Sequence, residues 1–97
     1  MKQIINTDKS PAPIGPYNQG ILKDNILFIS GQIALDPVSM KLNNQNIEEE
    51  TNQVMLNIKH ILKEANMDFN NVVKTSIFLS DMNLFNEVNE IYGKYII

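Results

Sequence analysis

A phenol at Tyr17, a hydroxyl at Ser30 and Gly31 directly after it fall in two short stretches, PYNQG and FISGQI, on either side of Asp24 and Asn25. Asp and Asn tolerate positive φ, and placed between two apolar runs they signal a two-residue hairpin. The expected strands are residues 17–23 and 26–32. Counting outward from the turn sets Lys23 opposite Ile26, Gln19 opposite Ser30 and Tyr17 opposite Gln32. With a side-chain period of two, residues 17, 19, 30 and 32 share one face, so a phenol, a hydroxyl and two amides gather at one end of the hairpin. That end is either a solvated polar sheet end, with a tyrosine packed on proline, or one wall of a small-molecule site. The residues alone leave both readings open.

Other chemistries fail on spacing. His60 is the only histidine, with no second histidine and no cysteine at ligand distance, so no metal site is expected. Its place on the polar side of a helix marks it as a solvated residue. GPYNQG lacks the lysine and glycine spacing of a phosphate loop and precedes a strand rather than a helix. Ser30 lies outside any G-x-S-x-G elbow.

The elements that must position these residues follow from periodicity. QIIN near the N-terminus reads as an edge strand, and Pro11, Pro13 and Pro16 keep the next stretch extended or turning. Asn46 is a good N-cap, with Glu49 three residues on as in a capping box. Ile47, Val54, Met55, Ile58, Ile61, Leu62 and Ala65 then form a helical stripe that ends at Asn66, a left-handed cap. VVKTSIFLS, residues 72–80, is rich in β-branched side chains and reads as a strand covered on at least one face. Asp81 or Asn83 caps a second helix, whose stripe is Leu84, Phe85, Val88, Ile91, Tyr92 and Tyr95. Amphipathic helices on either side of a strand imply an α+β domain with a helix layer on a mixed sheet. YGKYII stops on apolar residues with no closing strand, so a C-terminally incomplete sheet or a covering partner subunit is expected.

The whole chain of 97 residues fits one domain, in which folding buries roughly 60 to 65% of the unfolded surface. Hydrophobic residues make up 43% and charged residues 20%, with no apolar run near the ~18 residues of a membrane span. No secretory signal opens the chain, and a cytoplasmic address is the expectation. A formal net charge of -3, with eight lysines and no arginine, disfavours a nucleic-acid partner. It also leaves no guanidinium to clamp a carboxylate.

APIGPYNQG, LFISGQIALDP, NIKHILKEA and VVKTSIFLSDMNLFNEVNEIYGKY together resemble the reactive-intermediate deaminase family, also called the Rid or YjgF family, over nearly all of the chain. The resemblance implies a single chorismate-mutase-like α+β domain over residues 1–97 and a homotrimer with small-molecule clefts between subunits. It implies cofactor-free hydrolysis of 2-imino and 2-enamino acids to 2-oxo acids and ammonia. By matching positions, Tyr17 and Ser30 would be catalytic, and Gly31 and Asn89 would bind substrate. Members of the family continue for about 30 residues more, adding a strand with an arginine and a last strand with a glutamate. Without them this chain is expected to be impaired, and two alternatives stand beside the deaminase: an oligomeric binding or structural module, and, disfavoured by charge, an endoribonuclease. The last strand would lie between LFISGQ and VVKTSIFLS, so those two are expected to re-pair or a subunit contact to change.

Overall fold

The structure is a computed structural model and describes residues 2–96. Three strands, β1 (Gln3–Ile5), β2 (Gly20–Lys23) and β3 (Ile26–Ile29), form an antiparallel sheet in the order β1-β2-β3. Two helices follow, α1 (Ile47–Glu64) and α2 (Phe85–Tyr95), with short 3-10 turns at Phe69–Asn71 and Met82–Leu84. The class is α+β, and its sheet is antiparallel rather than mixed among the described residues.

The hairpin forms as the turn chemistry dictates. Asp24 and Asn25 both have positive φ, 51° and 66°, and Lys23 pairs with Ile26. Two consecutive left-handed residues match the twist of the flanking strands, which ordinary turns would splay. Both strands nevertheless end earlier than residues 17–23 and 26–32 would have them. Gln19 is buried and turned toward the N-terminal loop, so the ladder closes with one more bond, from the Ser30 N–H to the Gln19 carbonyl at 3.0 Å.

α1 begins and ends on the expected residues. Asn46 accepts from the Glu49 N–H at 2.8 Å, satisfying one of the donors a helix start leaves free. At the other end Asn66 has φ 59°, and the Met67 N–H reaches back to the Leu62 carbonyl at 2.8 Å, a Schellman closure. The buried face carries Met55, Ile61 and Leu62. A Cβ placed on Gly20 would lie 3.4 Å from the Ile61 side chain, so α1 covers the sheet face that Gly20 belongs to. Ile61 is fully enclosed, worth about 1.5 to 3 kcal/mol of burial.

α2 packs on α1 through Val88 and Ile91. Asp81 accepts from the Asn83 N–H at 2.9 Å and so caps the 3-10 turn that leads into α2. The Tyr95 hydroxyl donates to the Asn52 carboxamide oxygen of α1 at 2.6 Å, and the Tyr95 ring meets Phe69 edge to face at 5.5 Å.

Residues 72–80 depart from expectation. They form no strand and join no ladder, and Val73 and Phe78 are 98% and 95% exposed. Their β-branched composition suits a strand, but a strand exists only where a neighbouring edge takes its N–H and C=O groups. The tie seen here is the Thr75 hydroxyl against the Tyr92 hydroxyl of α2 at 2.6 Å. Among the described residues the expected re-pairing with β3 does not occur, and β3 is an edge strand.

Candidate functional site

Ser30 and Gly31 sit where β3 leaves the ladder, and three buried polar side chains fix that exit. Asn57 on α1 is completely buried, and its amide donates to the carbonyls of Ile33 and Leu35 at 3.1 and 3.0 Å. Its oxygen accepts from Gln53 at 3.0 Å. A buried amide with its hydrogen bonds satisfied holds the loop after Gly31 rigidly on the helix. Ser10 donates to the Asn57 backbone carbonyl at 2.6 Å, which ties the N-terminal loop to the same turn of α1. Gln19 completes the frame by accepting from the Thr7 N–H at 2.6 Å and donating to the Ser10 and Pro11 carbonyls at 3.1 and 2.8 Å.

Gln19 therefore does not join the polar face expected from the period of two. Its side chain serves the N-terminal loop, whose backbone carbonyls would otherwise be buried without donors. Gln32 does reach Ser30, donating to the Ser30 carbonyl at 3.2 Å. The Ser30 hydroxyl donates to the Asn18 carbonyl at 2.6 Å. With its proton committed there, Ser30 presents lone pairs, and it can accept from a water or a substrate N–H but cannot donate to either.

Tyr17 precedes Asn18, whose carbonyl takes the Ser30 hydroxyl, and is half exposed. Its N–H bonds the Gly15 carbonyl at 2.8 Å, and the ring passes so close to Gly15 that a Cβ there would come within 3.3 Å of it. Any larger residue at 15 would push the phenol aside. Nothing lies within 4 Å of the Cβ position of Gly31, so the backbone there is open to a ligand. Asn89 is exposed on α2, and among the described residues no hydrogen bond links it to Tyr17, Ser30 or Gly31. Ser30 and Gly31 are thus adjacent to Asn18, the chain neighbour of Tyr17, while among the described residues no hydrogen bond joins the Tyr17 phenol or Asn89 to Ser30.

His60 is not the solvated residue its position suggests. It is half-buried, and its Nδ1 is buried without a hydrogen-bond partner. Among the described residues no group of three or more His, Asp and Glu side chains could hold a metal ion. Two surface hollows lie away from Tyr17 and Ser30. One, of about 540 Å³, flanks the start of α1 and includes Glu48 and Glu49; the other, of about 310 Å³, lies at its end beside Lys59, Lys63 and Phe69. The larger hollow is the poorer candidate for an anionic ligand, because carboxylates line it.

Gln19, Asn57 and Ser10, which hold the site, were not visible as such in the sequence. The one local signal is an asparagine interrupting the apolar stripe of α1, at a position that faces the core.

Comparisons with known proteins show the family. The family model described as Endoribonuclease L-PSP matches residues 7–97. The chain is 48% identical over 95 residues to the human 2-iminobutanoate/2-iminopropanoate deaminase, covering 98% of this chain and 69% of that one. Among solved structures, the Rid family protein YyfA from Yersinia pestis superposes with a TM-score of 0.95 at 40% identity, over 98% of this chain and 75% of that one. TdcF from E. coli, solved with bound serine, gives 0.91 at 30% identity, over 96% and 72%. The chain belongs to the endoribonuclease L-PSP family, the Rid or YjgF proteins, and has their α+β fold.

Proposed function

We propose that this chain acts on small 2-imino and 2-enamino acids, adding water to the C=N carbon so that the product collapses to a 2-oxo acid and ammonia. The observation that carries the reading is the 48% identity to an enzyme named for that reaction, over nearly the whole chain. The local geometry supports it. Ser30, its proton given to Asn18, offers an acceptor that can orient the attacking water. Tyr17 offers a hydroxyl to the imine nitrogen or the departing ammonia, and the open backbone at Gly31 can donate an N–H to a substrate oxygen. None of these steps needs a cofactor.

Asn89 belongs to the same site if a second copy supplies it. The outward face of the sheet carries Ile4, Ile26 and Phe28, all more than half exposed, and an apolar face of this kind fits against other copies. We place the chain as a self-associating protein, a homotrimer in the cytoplasm, with the substrate cleft between neighbouring subunits. Among the described residues no helix is long and apolar enough to cross a membrane.

The test couples the chain to threonine dehydratase and follows release of 2-oxobutyrate and ammonia. Acceleration over buffer is expected, with Tyr17→Phe and Ser30→Ala each lowering kcat/KM about tenfold or more. An unchanged rate with the folded wild-type chain present would overturn the assignment. The absence of arginine, which leaves no bidentate carboxylate clamp, favours a second reading as a binding module without chemistry. Binding of a 2-oxo acid without turnover would select it.

A further inference from the structure

Gln19 and Ser30 stand opposite each other just past the ends of β2 and β3, where a regular antiparallel pair exchanges two bonds. One of them is made, from the Ser30 N–H to the Gln19 carbonyl at 3.0 Å. The Gln19 N–H is turned to the other side of the strand, toward β1, where the Asn6 Oδ1 accepts it at 2.9 Å. The Ser30 carbonyl takes the Gln32 amide at 3.2 Å in its place. The Gln19 N–H and the Asn18 C=O belong to one planar trans peptide and point in opposite directions. Turning the N–H toward β1 therefore turns the Asn18 carbonyl toward β3, and there it accepts the Ser30 hydroxyl at 2.6 Å. The Asn6 Nδ2 adds a second hold by donating to the Asn18 Oδ1 at 3.3 Å.

We propose that Asn6 is a positioning residue: its carboxamide sets the peptide between Asn18 and Gln19, and through that peptide the direction of the Ser30 hydroxyl. The inference deepens the deaminase reading and rests on it for the step that Ser30 serves, the orienting of the attacking water. With the peptide held, the Ser30 proton stays on the Asn18 carbonyl and only its lone pairs are left for the water. Without the Asn6 acceptor, opposite changes in ψ of Asn18 and φ of Gln19 turn the peptide over and leave its neighbours in place. The Gln19 N–H then returns to the Ser30 carbonyl and completes the ordinary pair, and the Asn18 carbonyl leaves Ser30. A hydroxyl released in this way donates as well as accepts, and it no longer defines one position for the water. Asn6 itself is exposed, so replacing it empties no part of the core.

The test compares Asn6→Ala with Asn6→Asp, which keeps an oxygen to accept the Gln19 N–H. In the coupled imine assay Asn6→Ala is expected to lower kcat about three- to tenfold with KM within about twofold of wild type, and Asn6→Asp to restore most of kcat. In a Ser30→Ala background the same Asn6→Ala change should move kcat by less than about twofold, because the group it positions is gone. An equal fall in both backgrounds marks a merely structural role and overturns the proposal. The Cβ resonance of Ser30 reads the arrangement without turnover: Asn6→Ala should shift it, Asn6→Asp should leave it near wild type, and exposed Ser39 serves as the control. An unmoved Ser30 resonance in Asn6→Ala overturns the proposal whatever the assay gives. A folded wild-type chain without turnover overturns the deaminase reading alone, and the Ser30 resonance then decides the role of Asn6.

Discussion

Residues 18–36 and residues 72–80 are both extended, both rich in β-branched or apolar side chains, and differ in what holds them. The first stretch contains β2 and β3, is bound into the ladder with β1, and is pinned by the buried Gln19 and Asn57 and the half-buried Ser30. The second has one hydroxyl pair, Thr75 with Tyr92, and Val73, Ile77 and Phe78 face water while Val72 and Leu79 are half-buried. The difference teaches that strand propensity describes fit to a pleated, half-buried surface, and has no effect where no edge is available to fit.

That contrast can be broken in order of expected effect. Asn57→Ala leaves the buried Leu35 carbonyl without its donor and takes one of two donors from the Ile33 carbonyl, and chemical denaturation is expected to show a loss of about 1 to 3 kcal/mol. A loss below 0.5 kcal/mol, taken as about the scatter of surface substitutions, would mean that α1 does not pin the loop after Gly31. Gln19→Ala removes the donors for the Ser10 and Pro11 carbonyls and should cost about 1 to 3 kcal/mol, with faster proteolysis in the N-terminal loop as the local readout. The helix cap is the next smaller effect: Asn46→Ala should cost about 1 kcal/mol and leave the sheet untouched. On the other side of the comparison, Val73→Ser and Phe78→Ser are each expected to stay within about 0.5 kcal/mol of wild type in urea unfolding. A larger loss at either would show that residues 72–80 are buried in solution by a partner.

The smallest effect is a titration in the loop after the site. Asp36 accepts from the N–H groups of Val38 and Ser39 at 2.8 and 3.0 Å, and these bonds, Ser39 first, hold its pKa below the ordinary aspartate value. A carboxyl whose folded pKa is depressed contributes stability that is fully present above its unfolded value and is lost as pH falls through the folded one. Amide shifts of Val38 and Ser39 should therefore titrate with a midpoint below that of an unstructured aspartate, and a midpoint at or above it would deny the turn.

The local signals in this sequence are those whose partners lie within a few residues. Asp24 and Asn25 specify their turn because positive φ is cheap for them, and Asn46 and Asn66 bracket α1 because each bonds backbone one turn away. The pairing of Gln19 with Ser30 could be placed by counting outward from that turn, since the register of a two-residue hairpin follows from its geometry, whereas Tyr17 lies beyond the end of β2. The role of Gln19 could not, because its acceptors, Thr7, Ser10 and Pro11, come together only when the N-terminal loop folds over α1. His60 likewise reads as a polar-face residue until packing buries its Nδ1.

By itself, then, the sequence determined the turns, the helix limits and the class of fold, because each depends on short-range hydrogen bonding or on periodicity. Only the tertiary structure decided that Ser30 spends its proton on Asn18, that Asn57 holds the loop behind the site, and that residues 72–80 remain without a ladder. Those outcomes depend on which backbone groups meet across the fold, and a hydrogen bond between distant segments leaves no periodic trace in the chain.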